Sequence, residues 1–239
     1  MTLQKMTKKP RASRVRWYDD ACGTALALEL VGERWSLLIV RELMFGGRRF
    51  GEIKANLVGI SANVLTQRLE WLEASHILVR RKLPPPASVQ VYELTPWGYE
   101  SERAIQELGR WAVRSPDHDV TLPLSPASLM MSFRTMFSAE RTAGLTATVG
   151  FRFGIEGFTA RIGGGEIPIR RADPAGSDLV WDTDPMTLAS VVYGGRPIAD
   201  AEIEGTLTVT GDRALAERFT TLFPLPPKID TADRLQEEK

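Results

Sequence analysis

Residues 59–81 of this 239-residue chain read GISANVLTQRLEWLEASHILVRR, and they decide the fold of its first half. Gly59 favours a turn, and Ser61 stands where the N-cap of a helix belongs, so we expect a helix that ends at about residue 75. At about 100° per residue, three leucines fall on one side of this helix. They are Leu65, Leu69 and Leu72. The stretch therefore predicts an amphipathic helix that packs on a core and is followed by basic residues.

The opposite side of this helix is polar and rich in amides. Its residues are Asn63, Thr66, Gln67 and Glu70. Amide side chains pair with adenine in the DNA major groove, and a threonine methyl group packs on thymine. The first turn, with Ser61 and Ala62, is small enough to approach a groove closely, and this turn of a recognition helix supplies base contacts. A solvated surface without a ligand is the alternative, since Asn and Gln are common there.

The elements around this helix follow the order of a winged helix-turn-helix. Helices are predicted at 17–31, 34–45 and 49–56, and the strands of a hairpin at 77–83 and 89–94. Basic residues before the third helix and on the first strand are placed to contact phosphates, which adds affinity without sequence information. These residues are Arg48, Arg49, Arg80, Arg81 and Lys82.

Arg68 is a further candidate for DNA contact. It lies about 60° from the centre of the leucine face of the helix. An ion pair inside the protein is therefore its alternative role.

Charge is distributed unevenly along the chain. Residues 1–115 hold 18 Lys and Arg against 12 Asp and Glu, whereas residues 116–239 hold 12 against 18. Residues 1–16 carry six basic side chains and no acidic one, and we interpret them as a flexible basic arm. The asymmetry favours a polyanionic partner for the first half. Two unrelated domains that happen to differ in charge are the alternative.

The second half alternates between helix and strand patterns. Three prolines in residues 115–127 predict a linker. Helices are expected at 126–142, 185–193 and 212–223, and strands at 145–153, 157–162, 166–170, 179–182 and 205–210. The predicted fold class is therefore α+β, with a mostly helical first half that carries a β-hairpin wing and an α+β second half.

The segments ALALELVGERWSLLIVRELMFGGRRFGEI, GISANVLTQRLEWLEASHILVRR and VYELTPWG occur in that order. Together they resemble the HxlR-type winged helix-turn-helix regulators over about residues 20–112. The resemblance implies a homodimeric regulator that binds double-stranded DNA, with its recognition helix at 61–74 and its wing at 78–94. It places dimer contacts on the first helix and on the helix after Pro96, and Trp111 fits the end of the latter.

Cys22 precedes the first of these segments and is the single cysteine, which rules out an intramolecular disulfide. In some regulators of this family, a cysteine at this position senses oxidants or electrophiles, which requires an accessible thiol with a lowered pKa. The charges of Asp19 and Asp20 oppose thiolate formation. A buried small apolar residue near the dimer interface is the alternative role of Cys22.

The segments LVWDTDPMTLASVVYGG and EGTLTVTGDRALAERFTTLFP resemble the sterol-carrier-protein type 2 (SCP2-like) fold over about residues 128–225. That resemblance implies an apolar tunnel for a lipid-like molecule. Residues that could line it are Phe151, Phe153, Phe158, Trp181, Met186 and Val192. Plain core packing is the alternative for each of them, and an exposed apolar sheet face could equally form a dimer contact.

The predicted organisation is a basic arm and four further segments. They are the arm at 1–16, a DNA-binding and dimerisation domain at 17–114, a linker at 115–127, an SCP2-like ligand-binding domain at 128–225 and a tail at 226–239. Neither of the two histidines, His76 and His118, has a catalytic partner by sequence, and no metal-ligand spacing occurs. We therefore predict no enzyme activity, cofactor or metal.

The function predicted from these patterns is sequence-specific DNA binding by a homodimeric regulator that an apolar small molecule modulates. A redox regulator that acts through Cys22, and a lipid carrier with a vestigial helix-turn-helix, are the alternatives. No apolar run approaches about 18 residues and no secretory signal is apparent, so we expect no membrane partner and a cytoplasmic, nucleoid-associated location.

Overall fold

A computed structural model describes residues 18–230 of the chain. Its strands form a two-stranded sheet in the first half and a five-stranded sheet in the second. The predicted basic arm at 1–16 and residues 231–239 of the predicted tail lie outside the described residues. Within residues 18–230, no helix is long and apolar enough to cross a membrane.

From residue 18 onward, the first half consists of six helices and a β-hairpin in the order that the sequence predicts. The elements are α1 (Gly23–Val31), α2 (Ser36–Leu43), α3 (Phe50–Asn56), α4 (Ala62–Ala74), β1 (Leu78–Lys82), β2 (Gln90–Leu94), α5 (Pro96–Glu100) and α6 (Glu102–Ala112). The predicted helix after Thr95 is divided in two at Ser101, where α5 ends and α6 begins. The fold class of this half is thus the predicted winged helix-turn-helix.

Helix α4 forms because its N-cap and the spacing of its apolar residues both favour a helix over the same segment. The Ser61 hydroxyl accepts a hydrogen bond from the Val64 N–H at 3.2 Å, so Ser61 is the N-cap. The leucine face is buried and packs on the core of the first half. Leu65, Leu69 and Leu72 keep 0–1% of their surface exposed. The predicted helix and its predicted buried face are confirmed.

The second half is α+β. Its elements are α7 (Pro126–Met136), a 3-10 turn (Ala139–Thr142), β3 (Ala147–Phe153), β4 (Glu156–Ile162), β5 (Ile169–Arg171), β6 (Leu179–Thr183), α8 (Pro185–Val192), α9 (Ile198–Ile203), β7 (Leu207–Gly211) and α10 (Arg213–Thr220). The sheet order is β5-β4-β3-β6-β7, in which only the β3–β6 pair is parallel. The SCP2-like assignment stays a prediction.

Helices and aromatic rings cover one face of the five-stranded sheet. Phe133 of α7 lies 5.8 Å from Phe151 of β3, and Phe219 of α10 lies 6.0 Å from Trp181 of β6, between ring centroids. These four side chains are fully buried. The layer is therefore filled by mutual ring contacts, which fix the helices on the sheet.

One helix of the second half is shorter than predicted, and another was not predicted. The helix predicted at 126–142 ends at Met136, because Phe137 adopts an extended backbone and the chain continues as a 3-10 turn. Helix α9 was not predicted, because its six residues are too few to show a helical period.

Residues 227–229 of the predicted tail are bound to the rest of the protein by hydrogen bonds. The Ile229 N–H donates to the Arg114 carbonyl at 2.9 Å, and the Lys228 ammonium donates to the Ser115 carbonyl at 2.9 Å. Arg114 in turn donates to the Pro227 carbonyl at 3.2 Å. The segment is thus bound to the end of α6, through partners more than 100 positions away that no local pattern reveals.

The two halves share one core. Buried residues of both belong to a single hydrophobic cluster, and the Phe45 and Phe158 rings meet edge to face at 5.6 Å. The carboxylate of Glu42, which is fully buried, accepts hydrogen bonds from Asn56 of α3 at 3.0 Å and from Ser125, the N-cap of α7, at 2.6 Å. The domain boundaries at 114 and 128 stay predictions, since packing continues across them.

Candidate nucleic-acid interface

The outer face of α4, which we define as Asn63, Thr66, Gln67 and Glu70, is exposed along its length. Ser61 and Ala62 in the first turn are exposed as well. The buried leucines hold α4 on the core, while these polar groups face outward. The face offers amide and hydroxyl groups without any partner among the hydrogen bonds of the described residues, apart from the Ser61 cap.

The wing, which we define as β1, β2 and the loop between them, carries three consecutive basic residues on β1. Arg80 pairs with Glu73 at 2.5 Å, and Arg81 pairs with Glu93 at 2.7 Å. The arginine side chains remain 43% and 64% exposed, and Lys82 is exposed. Exposed pairs of this kind contribute little to stability, so phosphates can replace their acidic partners at low cost. The Arg80 hydrogen bond lowers the pKa of Glu73.

Arg48 and Arg49 are neighbours in sequence with opposite surroundings. Arg49 is exposed, and its backbone N–H donates to Glu52 at 2.9 Å, which begins α3. Arg48 is only 7% exposed, and its guanidinium donates to Glu156 of the second half at 2.5 Å. The predicted phosphate contact of Arg48 does not fit this geometry, because a distant carboxylate holds the side chain inside the protein.

Arg68 lies inside the first half rather than on the outer face. Its guanidinium donates to the Glu33 carboxylate at 2.8 Å and to the Arg34 carbonyl at 3.2 Å. This is the internal ion pair that its position 60° from the leucine face suggested. Arg68 therefore fixes α4 to the turn between α1 and α2, and it is not placed with the DNA-facing candidates.

Cys22 is exposed and stands at the N-cap of α1. Hydrogen bonds from the backbone and side chain of Thr24, and from the backbone of Ala25, lower the pKa of its thiol. The N-terminus of a helix favours a thiolate in the same sense. The expected opposition of Asp19 and Asp20 is thus outweighed by the hydrogen bonds of the first turn. Burial of Cys22 near a dimer interface stays a prediction, since a single chain leaves α1 exposed.

The comparisons concern this first half. A model of the family described as HxlR-like helix-turn-helix matches residues 30–119. The HTH-type transcriptional regulator YodB of Bacillus subtilis is 38% identical over 86 residues, which is 36% of this chain and 77% of that protein. This chain belongs to the HxlR-like helix-turn-helix family. The matched relatives in this family are transcriptional regulators, so the chain is a DNA-binding transcriptional regulator.

A second relative and a solved structure of YodB extend the comparison. The HTH-type transcriptional regulator YvaP of Bacillus subtilis is 37% identical over 87 residues, which is 36% of this chain and 80% of that protein. The solved structure of the reduced form of YodB is similar over 41% of this chain and 97% of that chain, with 34% identity and a TM-score of 0.37.

Five of the six residues that we expected to line a tunnel in this HxlR-like protein belong to the hydrophobic core, and Met186 is the exception. Phe151, Phe158 and Trp181 are fully buried, and the Phe151 and Phe153 rings stack with centroids 6.3 Å apart. Val192 is buried and Met186 is half-buried on α8. Core packing, the alternative role, describes these contacts, and an apolar tunnel at this place stays a prediction.

Polar residues at the contact between the halves were missed by sequence reasoning. Glu156 of β4 binds Arg48 and Arg171, and Glu42 joins α2, α3 and α7. The Arg48–Glu156 pair is 108 positions apart in sequence. No spacing rule applies at such separations, so no local signal could have found these pairs.

Proposed function

We propose that this HxlR-like protein is a homodimer that reads a specific DNA sequence through α4 and contacts the phosphate backbone through the wing. The observation that carries the proposal is the two-sided character of α4. Its leucines are buried to 0–1% exposure, whereas its amides and its first turn are exposed. Ser61, Ala62, Asn63, Thr66 and Gln67 would face bases, and Arg49, Arg80, Arg81 and Lys82 would face phosphates.

Dimerisation is supported by exposed apolar side chains on α1 and α6. None of the α1 residues is buried, and Leu28 is 51% exposed. On α6, Leu108 is 48% and Trp111 is 73% exposed. Large apolar side chains grouped in this way favour a protein contact, and two-fold symmetry would present two α4 helices to successive major grooves, about 34 Å apart.

The experiment that tests DNA binding is fluorescence anisotropy of labelled duplexes at several salt concentrations. Random-sequence DNA should bind with an affinity that falls steeply with salt, because phosphate contacts release counterions. A sequence selected from a random pool should bind about 10³-fold more tightly or better. Equal affinity for selected and random duplexes would exclude base reading by α4.

Dimerisation is tested by analytical ultracentrifugation of the full chain. Trp111→Glu should shift the protein toward monomer, because the charge would be buried in the contact. Ile203→Glu is the matched control, since Ile203 is an exposed apolar residue of the second half. Equal sedimentation of both variants and the wild type would exclude α6 from the dimer contact.

A thiol-based regulator is the second candidate, and the placement of Cys22 favours it. The thiol is exposed, and its pKa is lowered by the first turn of α1. Peroxide or quinone should then lower the affinity of the wild type for its selected DNA and leave Cys22→Ser unchanged. An oxidant response that persists in Cys22→Ser would exclude the thiol.

Regulation by an apolar molecule in the second half is also a proposal, but no structural observation favours it as the exposed thiol favours redox regulation. It would require the rings of Phe151, Phe219 and Trp181 to separate, because they now contact one another. A lipid carrier without DNA affinity is the remaining alternative, and the salt titration described above distinguishes it.

A further inference from the structure

A cleft of about 600 Å³ lies where the first half meets the five-stranded sheet. One wall comes from Arg48 and from α3, and the other comes from the β3–β4 turn and the segment after β5. We call this site the junction cleft. It is separate from the outer face of α4, from Cys22 and from the aromatic layer.

The inner wall of the junction cleft has two guanidinium groups and one carboxylate. Glu156 accepts a hydrogen bond from Arg48 at 2.5 Å and another from Arg171 at 3.1 Å. The side chains of Arg48, Glu156 and Arg171 are 8%, 13% and 20% exposed. Burial, and secondly the charge of Arg48, lowers the pKa of Arg171. Glu156 thus pairs with both cations, while Glu52 forms a second, longer ion pair with Arg48 alone at 3.6 Å. Arg171 therefore shares its carboxylate, an arrangement that a further anion would stabilise.

Hydrogen-bond donors on this wall are also in excess. The Nε–H groups of Arg48 and Arg171 are buried and have no hydrogen-bond acceptor within residues 18–230. The Arg48 Nε lies 3.6 Å from the Glu52 carboxylate, which is beyond hydrogen-bond length. Buried donors of charged groups are costly to leave without an acceptor. The wall therefore contains two charged donors that lack an acceptor, as well as positive charge.

The other residues that line the junction cleft determine which kind of anion fits. Ala55, Ala172 and Pro174 line the cleft with apolar surface, and Ile155 stands fully exposed at the β3–β4 turn. Glu52, Asp173 and Arg152 also line it, so the cleft has three carboxylates and three guanidinium groups. This balance disfavours a dianion such as phosphate, whereas the apolar surface favours an organic body. A planar carboxylate matches the guanidinium fork.

We propose that the junction cleft binds a small organic acid with one carboxylate and an apolar body. The carboxylate would contact Arg171 and Arg48, and the body would lie on Ala55, Ile155 and Pro174. Arg48 connects this site to the wing, because its backbone exchanges hydrogen bonds of 2.9 and 2.8 Å with Tyr92 of β2. A ligand here would touch α3, Arg48 and the second half together.

The test measures binding by the full chain in the absence of DNA, so it does not depend on the proposed DNA interface. Benzoate and hexanoate are the probes, benzamide and hexanamide are the neutral controls, and inorganic phosphate is the second anion, all at matched ionic strength. A probe at about four times its Kd should raise the Tm by about 2–4 °C. The amides should leave the Tm unchanged, and phosphate should raise it less.

Two substitutions should act in opposite directions. Arg171→Gln should weaken binding of the carboxylate at least tenfold by isothermal titration calorimetry, because a charged donor is lost. Glu156→Gln should strengthen it, because the competing carboxylate is neutralised. Should Arg171→Gln fail to fold, Arg171→Lys keeps the charge without the fork and should also bind more weakly. Arg213→Gln, in an exposed ion pair elsewhere, should bind like the wild type.

Stabilisation by either carboxylate that exceeds its amide, and that depends on Arg171, supports the proposal. The proposal is overturned if both carboxylates stabilise the protein no more than their amides. It is equally overturned if phosphate binds more tightly than the carboxylates, or if Arg171→Lys and Arg213→Gln bind them equally well.

Discussion

The wing and the junction cleft both use arginines against glutamates, yet their surroundings differ. On the wing, the Arg81 side chain is 64% exposed and its partner Glu93 is its neighbour across the hairpin. At the cleft, the Arg48 side chain is 8% exposed and its partner Glu156 is 108 positions away. The exposed arginines stay hydrated and can exchange their acidic partners, whereas the buried arginines depend on the Glu156 carboxylate to compensate their charge. Burial, more than charge, decides which arginines are available to DNA.

Glu156→Ala should produce the largest effect on stability. It leaves Arg48 and Arg171 largely buried without their shared carboxylate, so we expect a loss of about 3 kcal/mol in the free energy of unfolding. This corresponds to a fall in Tm of about 6–12 °C. Urea unfolding and calorimetry measure both quantities.

Asp182→Ala is the matched control for that experiment. Asp182 pairs with Arg152 at 3.3 Å, and both side chains are about half exposed. Its loss should cost less than about 1 kcal/mol. If the two variants were equally stable, burial would not distinguish the cleft from an exposed ion pair.

Asn63→Ala should lower the affinity for the selected duplex by about 2 kcal/mol, or about 30-fold, because paired hydrogen bonds to a base are lost. Affinity for random DNA should change less than about twofold. Anisotropy with both duplexes measures the ratio. Equal losses on the two would mean that Asn63 does not read a base.

Arg81→Ala should weaken selected and random duplexes alike and reduce the slope of log affinity against log salt by about one. Its stability should stay within about 1 kcal/mol of the wild type. Arg213→Ala, a similarly exposed arginine of the second half, should change neither the slope nor the affinity. An unchanged slope in Arg81→Ala would remove this residue from the DNA interface.

The pair between Glu73 and Arg80 should give the smallest effect, and it depends on pH. The Arg80 hydrogen bond lowers the pKa of Glu73 in the folded protein. The contribution of the pair is therefore complete above the unfolded-state pKa of about 4.3 and is lost as pH falls through the folded-state pKa. Since both side chains are about one-third or more exposed, it should stay below about 1 kcal/mol.

Glu73→Gln is the variant that isolates this effect. Unfolding by urea between about pH 5 and pH 3 should show a stability difference from the wild type that shrinks toward acid. A difference that is constant over this range would mean that the carboxylate charge does not stabilise the wing.

The sequence predicts those parts of the molecule whose causes are local. The Ser61 cap, the leucine face of α4 and the two strands of the wing follow from spacing within about 20 residues. Exposure of Asn63 and Gln67 follows from the same period. Their predicted contacts with bases remain to be measured.

The features that the sequence did not predict depend on distant partners. Arg48 and Arg49 are identical in type and adjacent, so no property of either side chain distinguishes the buried one from the exposed one. The distinction comes from Glu156, which only the folded sheet brings to Arg48. Likewise, the thiol of Cys22 is governed by the N–H groups of α1 rather than by the acidic residues that precede it.

The buried contacts of Glu42 affect whether the helix-turn-helix can be transferred to another protein. Its buried carboxylate binds α3 through Asn56 and α7 through Ser125. A helix-turn-helix cut out before α7 would carry a desolvated charge with one partner missing and an uncovered apolar surface. The helix-turn-helix of this regulator therefore cannot be separated from α7 without loss of stability. Chimaeras that graft it onto another effector module should include residues 125–136 or replace Glu42 with a neutral residue.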